Sequence, residues 1–252
     1  VQSVLEGKTE DRIIFDMFLQ WKPDLAATND KQKKSFAHAV SAVQSFMALR
    51  SQGLLDGWEL CYIDDKPACE LSFRIHLPGG YKYRGFVDAV LRNTEDGRIM
   101  VLECKTTSAT NLNAATYKNS FQAVGYSIVL DKLFPELSSY EVLYLVYCTK
   151  SFMWETLPFT KTFLQRALWL QELYLETQRL QLYESAGVYP MHGESCFDFY
   201  RECNYLNTCT LSTKYLTKDM TPEEEVALEK RESVYQVEVT FEDLVRVQLE
   251  KE

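Results

Sequence analysis

The sequence has no apolar run approaching the roughly 18 residues of a membrane span. Its first residues, Val1-Gln-Ser-Val-Leu5, lack the basic start and long apolar stretch of a secretion leader. Positive charge is in short supply: 27 Lys and Arg stand against 36 Asp and Glu, a net charge of −9. That balance argues against a protein that coats nucleic acid through bulk charge. No internal repeat or low-complexity linker interrupts the chain. With no leader, the seven cysteines are expected to be reduced thiols in a cytoplasmic compartment. The chain starts at Val1 rather than Met, which implies a processed or trimmed chain.

What is present is ordinary for a globular protein: 252 residues, 46% hydrophobic and 25% charged, enough for one core. The informative stretch is 84–126, and within it Arg84-Gly-Phe-Val-Asp88 and Val101-Leu-Glu103-Cys-Lys105. A strand sends alternate residues to one face, so Ile99, Val101, Glu103 and Lys105 share a side. Glu95-Asp-Gly97 is a turn signal, and a hairpin about it brings Asp88 beside Glu103.

Two acids and a lysine in that geometry point to metal-assisted phosphodiester hydrolysis. Carboxylates bind hard cations such as Mg²⁺ or Mn²⁺, a bound cation activates water and neutralises phosphate charge, and the ammonium can act on the attacking water or the developing charge. The same residues also suit a buried salt bridge or a solvated strand end, and D-x(14)-E-x-K alone does not decide between them.

The following segment does more. Asn113 to Leu133 reads as one amphipathic helix with Phe121, Val124 and Ile128 on its packed face. Gln122 and Tyr126, at i and i+4, form a polar ridge. Together, Gly85-Phe-Val-Asp88, Glu103-Cys-Lys105-Thr-Thr-Ser108 and Gln122-Ala-Val-Gly-Tyr126 resemble the PD-(D/E)xK nuclease superfamily. The likeness is to its RecB-like branch, with its Q-x-x-x-Y helix, and to phage exonucleases and CRISPR-associated adaptation nucleases. It covers about residues 70–130.

The resemblance implies an α/β, restriction-endonuclease-like fold: a central mixed sheet flanked by helices, with N- and C-terminal helical additions. Residues 1–252 would then form one domain, with N-terminal helices in 1–55, the catalytic sheet and Q-x-x-x-Y helix in 56–158, and a C-terminal helical region in 159–252. It implies that Asp88, Glu103 and the Cys104 backbone carbonyl hold Mg²⁺ or Mn²⁺, that Lys105 acts on the nucleophilic water, and that Gln122 and Tyr126 position the lysine or the DNA. His38, off the Phe36/Val40/Val43/Met47 stripe of a helix over about 30–51, would be a further metal ligand, although an ordinary surface histidine fits almost as well. Glu10 is the other upstream candidate. Glu70 is assigned to a supporting or structural role, with metal ligation the lesser alternative. Arg84, Thr106, Ser108 and Lys118 are candidates for DNA contact. Basic residues also gather at Lys31, Lys33 and Lys34, a run more often a solvated helix end than a phosphate track. DNA is the implied partner, with a homo-oligomer or a replication or recombination protein as further candidates. A non-catalytic binding or assembly module on the same fold is the rival reading.

The remaining chain reads as follows. A helix over about Glu10–Trp21 precedes strands near Trp58–Ile63, Glu70–Leu77 and Tyr81–Leu91. Strands at Tyr140–Thr149 and Met153–Pro158 lead into a long helix with Phe163, Ala167, Leu170 and Tyr174 on one face. Cys61, Cys69, Cys104 and Cys148 suit small core positions. His192, Cys196, Cys203 and Cys209 could hold zinc. An iron–sulfur cluster, found in some RecB-like nucleases, would need a fourth cysteine, and free thiols are the simplest reading. Thr221-Pro-Glu-Glu224 opens a helix. A strand at Tyr235–Val239 and a helix at Phe241–Leu249 complete what is expected to be a solvated acidic tail.

Overall fold

Two long strands joined by a tight turn stand at the centre of the molecule. In the computed structural model, which describes residues 1–21, 35–109, 111–187, 197–198, 201–202 and 235–251, these are β5 (Lys82–Asn93) and β6 (Ile99–Thr107). The turn between them forms where expected. The Asn93 side chain accepts from the backbone N–H groups of Glu95 and Asp96, an Asx turn that fixes the hairpin.

The other strands are β1 (Trp58–Leu60), β2 (Tyr62–Ile63), β3 (Lys66–Pro67), β4 (Cys69–His76), β7 (Ser139–Cys148), β8 (Met153–Thr162), β9 (Phe197–Asp198), β10 (Arg201–Glu202) and β11 (Val237–Thr240). The described helices are α1 (Gln2–Leu5), α2 (Glu10–Gln20), α3 (Phe36–Ser51), α4 (Ala114–Lys118), α5 (Phe121–Val129), α6 (Phe163–Ala186) and α7 (Phe241–Glu250). The main sheet runs β11-β4-β5-β6-β7-β8, with β1 added on β5. β6–β7 and β11–β4 pair in parallel and the other neighbours antiparallel. This is the expected central mixed sheet flanked by helices.

The core lies in two layers, one on each face. Ile99 and Val101 of β6 join Leu71, Phe73, Val87, Tyr126, Ile128 and Trp169 in the first. Met100 and Leu102 join Phe46, Leu91, Leu143 and Leu145 in the second. The alternation along β6 is therefore the one read from sequence, and it carries Glu103 and Lys105 to the side of α5. Two glycines permit close approaches around α5, one against α6 and one between β5 and β4 beneath it. A Cβ on Gly125 would lie 2.7 Å from the Trp169 ring, and one on Gly85 would lie 2.7 Å from the Phe73 ring.

Four expectations need correction. The helix over 113–133 is broken: α4 ends at Asn119, Ser120 is extended, and α5 starts afresh before a short 3-10 turn at Leu130–Lys132. Asn and Ser favour helix ends over interiors, and Phe121, now the first residue of α5, packs on Trp169 yet stays 39% exposed. In α3 the buried residue is Phe46, off the predicted stripe. The helix meets β8 through its other edge, where the Trp154 indole donates to the Ala42 carbonyl and Ser45 hydroxyl. In α6 the buried set is Arg166, Trp169, Leu170, Leu173 and Thr177. Leu170 is buried as expected, but the buried face centres on the side of Arg166, which bonds Asp131, and Tyr174 stacks on Phe241 while 38% exposed. The C-terminal strand and helix are not a solvated tail. β11 extends the main sheet, and Val237, Val239, Leu244 and Gln248 are buried.

Asp131 is what ties these pieces together. Its fully buried carboxylate accepts from Arg166 Nε at 3.1 Å, the Tyr140 hydroxyl at 2.9 Å, Gln248 Nε2 at 2.5 Å and Lys251 Nζ at 2.7 Å. Breaking a buried ion pair from one side leaves the other charge unpaired. Asp131→Ala is therefore expected to lower stability in urea unfolding by roughly 3–5 kcal/mol. Gly125→Ala tests the close approach of α5. Alanine is normally favoured over glycine inside a helix by about 1 kcal/mol, yet overpacking against Trp169 should produce a net loss of about 1–3 kcal/mol. A gain in the urea midpoint would show that Trp169 yields.

Candidate active site

The β5–β6 ladder runs from Arg92↔Ile99 to Ala89↔Leu102 and stops there. The alternation of faces slips at this point. Val87 faces the first layer and Ala89, two residues on, the second. On the neighbouring strand Cys69 and Leu71 differ in the same way. Between those two lies Glu70, at a left-handed φ of 48°, which costs a non-glycine residue some strain. The slip brings Asp88 against β6, where its Oδ2 accepts the Cys104 backbone N–H at 2.6 Å. A side chain thus takes over a strand N–H just beyond the end of the ladder.

Glu103, in the next position of β6, is only 2% exposed. Its Oε1 lies 2.5 Å from Lys105 Nζ, and its Oε2 is buried with no hydrogen-bond partner. Burial pushes its carboxyl up to about 7, Asp88 and Glu70 push the same way, and Lys105 opposes them without prevailing. Lys105 Nζ also donates to Gln122 Oε1 at 2.9 Å, and Gln122 Nε2 donates to the Tyr126 hydroxyl oxygen at 2.5 Å. The i, i+4 ridge read from sequence thus forms one connected line with the lysine. Two of the three ammonium donors are committed to Glu103 and Gln122, leaving one for a substrate oxygen or water. Burial, reinforced by the Glu103 charge, holds the Tyr126 hydroxyl in its neutral form.

The structure therefore brings Asp88, Glu103, Cys104, Lys105, Gln122 and Tyr126 together. Burial pushes the Cys104 thiol up to about 12, which leaves it inert as a nucleophile. Glu70 also belongs to this neighbourhood. Its carboxyl is raised by partial burial and then by Asp88. No local pattern announces the left-handed backbone at this residue. His38 lies elsewhere: its ring meets Phe152 edge-on at 5.0 Å, and its Nδ1 is buried without a partner. Among the described residues no three His, Cys, Asp or Glu side chains are grouped so as to hold a metal ion, so His38 does not join Asp88 and Glu103 in this arrangement.

Of the candidates for DNA contact, Thr106 and Ser108 continue beyond Lys105, and exposed Lys118 ends α4. Arg84 Nη1 reaches the Tyr235 hydroxyl at 3.4 Å. Glu10 is engaged with Gln44, whose amide donates to it at 2.8 Å. Cys61, Cys69 and Cys148 are buried free thiols, as expected. His192, Cys196, Cys203, Cys209, the Lys31–Lys34 run and the Thr221 helix start lie outside the described residues.

The donor set fits a hard divalent cation. Asp88 and Glu103 offer carboxylate oxygens at one strand end, and Glu103 Oε2 is an orphaned buried acceptor, an arrangement disfavoured unless something charged pairs with it. The raised pKa supplies a test without metal. The folded protein holds the Glu103 proton more tightly than the unfolded chain. The stability this contributes is therefore full below about 4.5 and is lost as pH rises through about 7. The metal-free protein should show this decline in urea midpoints across that window, and Glu103→Gln should flatten it. An equally steep decline in the variant would assign it to another group.

The family model described as the PD-(D/E)XK nuclease superfamily matches residues 20–210. No curated protein matches the chain. A solved structure described as "Crystal structure of SSO0001" is similar at 15% identity over 85% of this chain and 94% of that one, with a TM-score of 0.31. No helix among the described residues is long and apolar enough to cross a membrane.

Proposed function

Because the chain belongs to the PD-(D/E)XK nuclease superfamily, we propose that it hydrolyses phosphodiester bonds in DNA with Mg²⁺ or Mn²⁺ bound at Asp88 and Glu103. The observation that carries this reading is the line Glu103–Lys105–Gln122–Tyr126, which joins the second and third motifs through direct contacts, with Asp88 of the first tied in by the Cys104 N–H. When bound, the cation would supply a low-pKa water and neutralise phosphate charge. Every other contribution comes from the chain itself. Asp88 and Glu103 would hold the ion, with the Cys104 carbonyl beside them. Lys105, fixed by Glu103 on one side and Gln122 on the other, would present its remaining donor to the attacking water or a phosphate oxygen. Gln122, braced by Tyr126, would keep the lysine from swinging away, and such orientation carries much of the rate in phosphoryl transfer.

An exonuclease is preferred to an endonuclease from the Q-x-x-x-Y helix and its RecB-like and phage counterparts. On this reading the protein would act in phage-type recombination, replication or DNA processing in the cytoplasm, as one domain over 1–252. Self-association or a replication or recombination partner accompanies that reading. Zinc or an iron–sulfur cluster at His192, Cys196, Cys203 and Cys209 remains secondary to it.

The test is cleavage of end-labelled linear and circular DNA with Mg²⁺, Mn²⁺ or EDTA. Metal-dependent loss of linear DNA alone is expected. Asp88→Ala and Lys105→Ala should each lower the rate by at least roughly 10²–10³-fold while leaving the urea transition in place. Wild-type rates in either variant would remove the mechanism, and nicking of circles would make the enzyme an endonuclease.

A further inference from the structure

The residue beside Gln122 is the unexpected one. Phe121 opens α5, and a buried aromatic of its size would ordinarily face the core, yet it is 39% exposed. It is not loose. Its ring lies 4.9 Å from the buried Trp169 ring, tilted 38° from parallel, and Trp169 in turn meets Tyr83 edge-on at 5.4 Å. One face of Phe121 is thus backed by a rigid aromatic stack.

In front of it runs an open groove of about 190 Å³, lined by Lys118, Asn119, Phe121, Gln165, Leu168 and Trp169. That is below the roughly 300–1,000 Å³ of a drug-sized ligand site and suits one planar ring system. Charge orients an occupant. Lys118 stands on the α4 side and Glu172 on the α6 side, so a phosphate backbone is drawn toward Lys118 and kept off α6. Helix α5 sets the distance from the chemistry. Phe121 immediately precedes Gln122, which bonds Lys105; the two side chains leave α5 about 100° apart, so the groove adjoins the site on the neighbouring face of the helix.

We propose that Phe121 is the platform on which a nucleobase flanking the scissile phosphate stacks, with the base in the Phe121–Trp169 groove and its phosphates toward Lys118 and Lys105. The assignment rests on the proposed DNA substrate and adds a base-holding subsite to it. Stacking is tolerant of sequence because every base has a π-face. It also requires an unpaired base, so the subsite selects single-stranded or frayed ends.

The test uses the full chain and single-stranded oligonucleotides carrying 2-aminopurine at successive terminal positions, with Ca²⁺ and separately with EDTA. Stacking quenches this base. Wild-type protein is expected to quench it at one position. Phe121→Leu, which keeps an apolar cover over Trp169 without a π-face, should abolish the quench and weaken binding roughly 5- to 100-fold. Phe121→Tyr should restore both. An abasic site at that position should weaken wild-type binding by the same factor and Phe121→Leu binding no further. A quench that survives Phe121→Leu would overturn the platform, as would equal losses on abasic and base-bearing strands, or no binding under either condition. Binding needs no turnover, so the two readings separate. Quenching without cleavage sinks hydrolysis and leaves the platform, and cleavage without quenching does the reverse.

Discussion

A carboxylate kept out of water at the end of a strand, that of Glu103, is the constraint on which the site depends. Removing a charge from solvent costs several kcal/mol even after relaxation, and here one oxygen has no partner at all. Lys105 offsets part of the cost, but burial and the neighbouring acids still raise the carboxyl to about 7. A group held this close to neutrality gains most from a cation nearby. The surroundings would limit which cation could bind: burial holds the thiol of Cys104 in its protonated form, and the free donors are oxygens, which favours a hard ion.

The rest of the architecture holds that carboxylate and its lysine in place. Gly125 lets α5 lie close against Trp169 of α6, and Gly85 leaves room for the Phe73 ring on the sheet below. Asp131 anchors the end of the same helical segment to α6 and α7. The slip in β4 and β5 turns Asp88 toward β6, where it takes the Cys104 N–H. Packing thus holds α5 at both ends, and the polar line through Glu103, Lys105, Gln122 and Tyr126 runs between them.

Much of this was legible from local pattern. Period-two alternation assigned Glu103 and Lys105 to one face, and the Glu95–Gly97 turn assigned Asp88 to the adjoining strand. The i, i+4 spacing of Gln122 and Tyr126 joined the third motif. What stayed hidden depended on partners distant in sequence. Arg166 is buried on α6 against Asp131, 35 positions away. β11 joined the sheet through pairing with β4, which an acidic tail does not announce. The bend at Glu70 and the exposure of Phe121 are tertiary outcomes as well. The break at Asn119-Ser120 was the one miss with a local signal, since both residues favour helix ends.

The most direct measurement is calorimetric titration of Mn²⁺ into the wild-type protein and Glu103→Gln, repeated between about pH 6 and 8 in buffers of different ionisation enthalpy. Cation binding at a carboxylate with a raised pKa must displace its proton. Wild-type protein should therefore bind more tightly as pH rises and release a proton near the lower end of the range, and Glu103→Gln should lose both affinity and proton release. Equal affinity and equal proton release in the variant would contradict the central role given to Glu103.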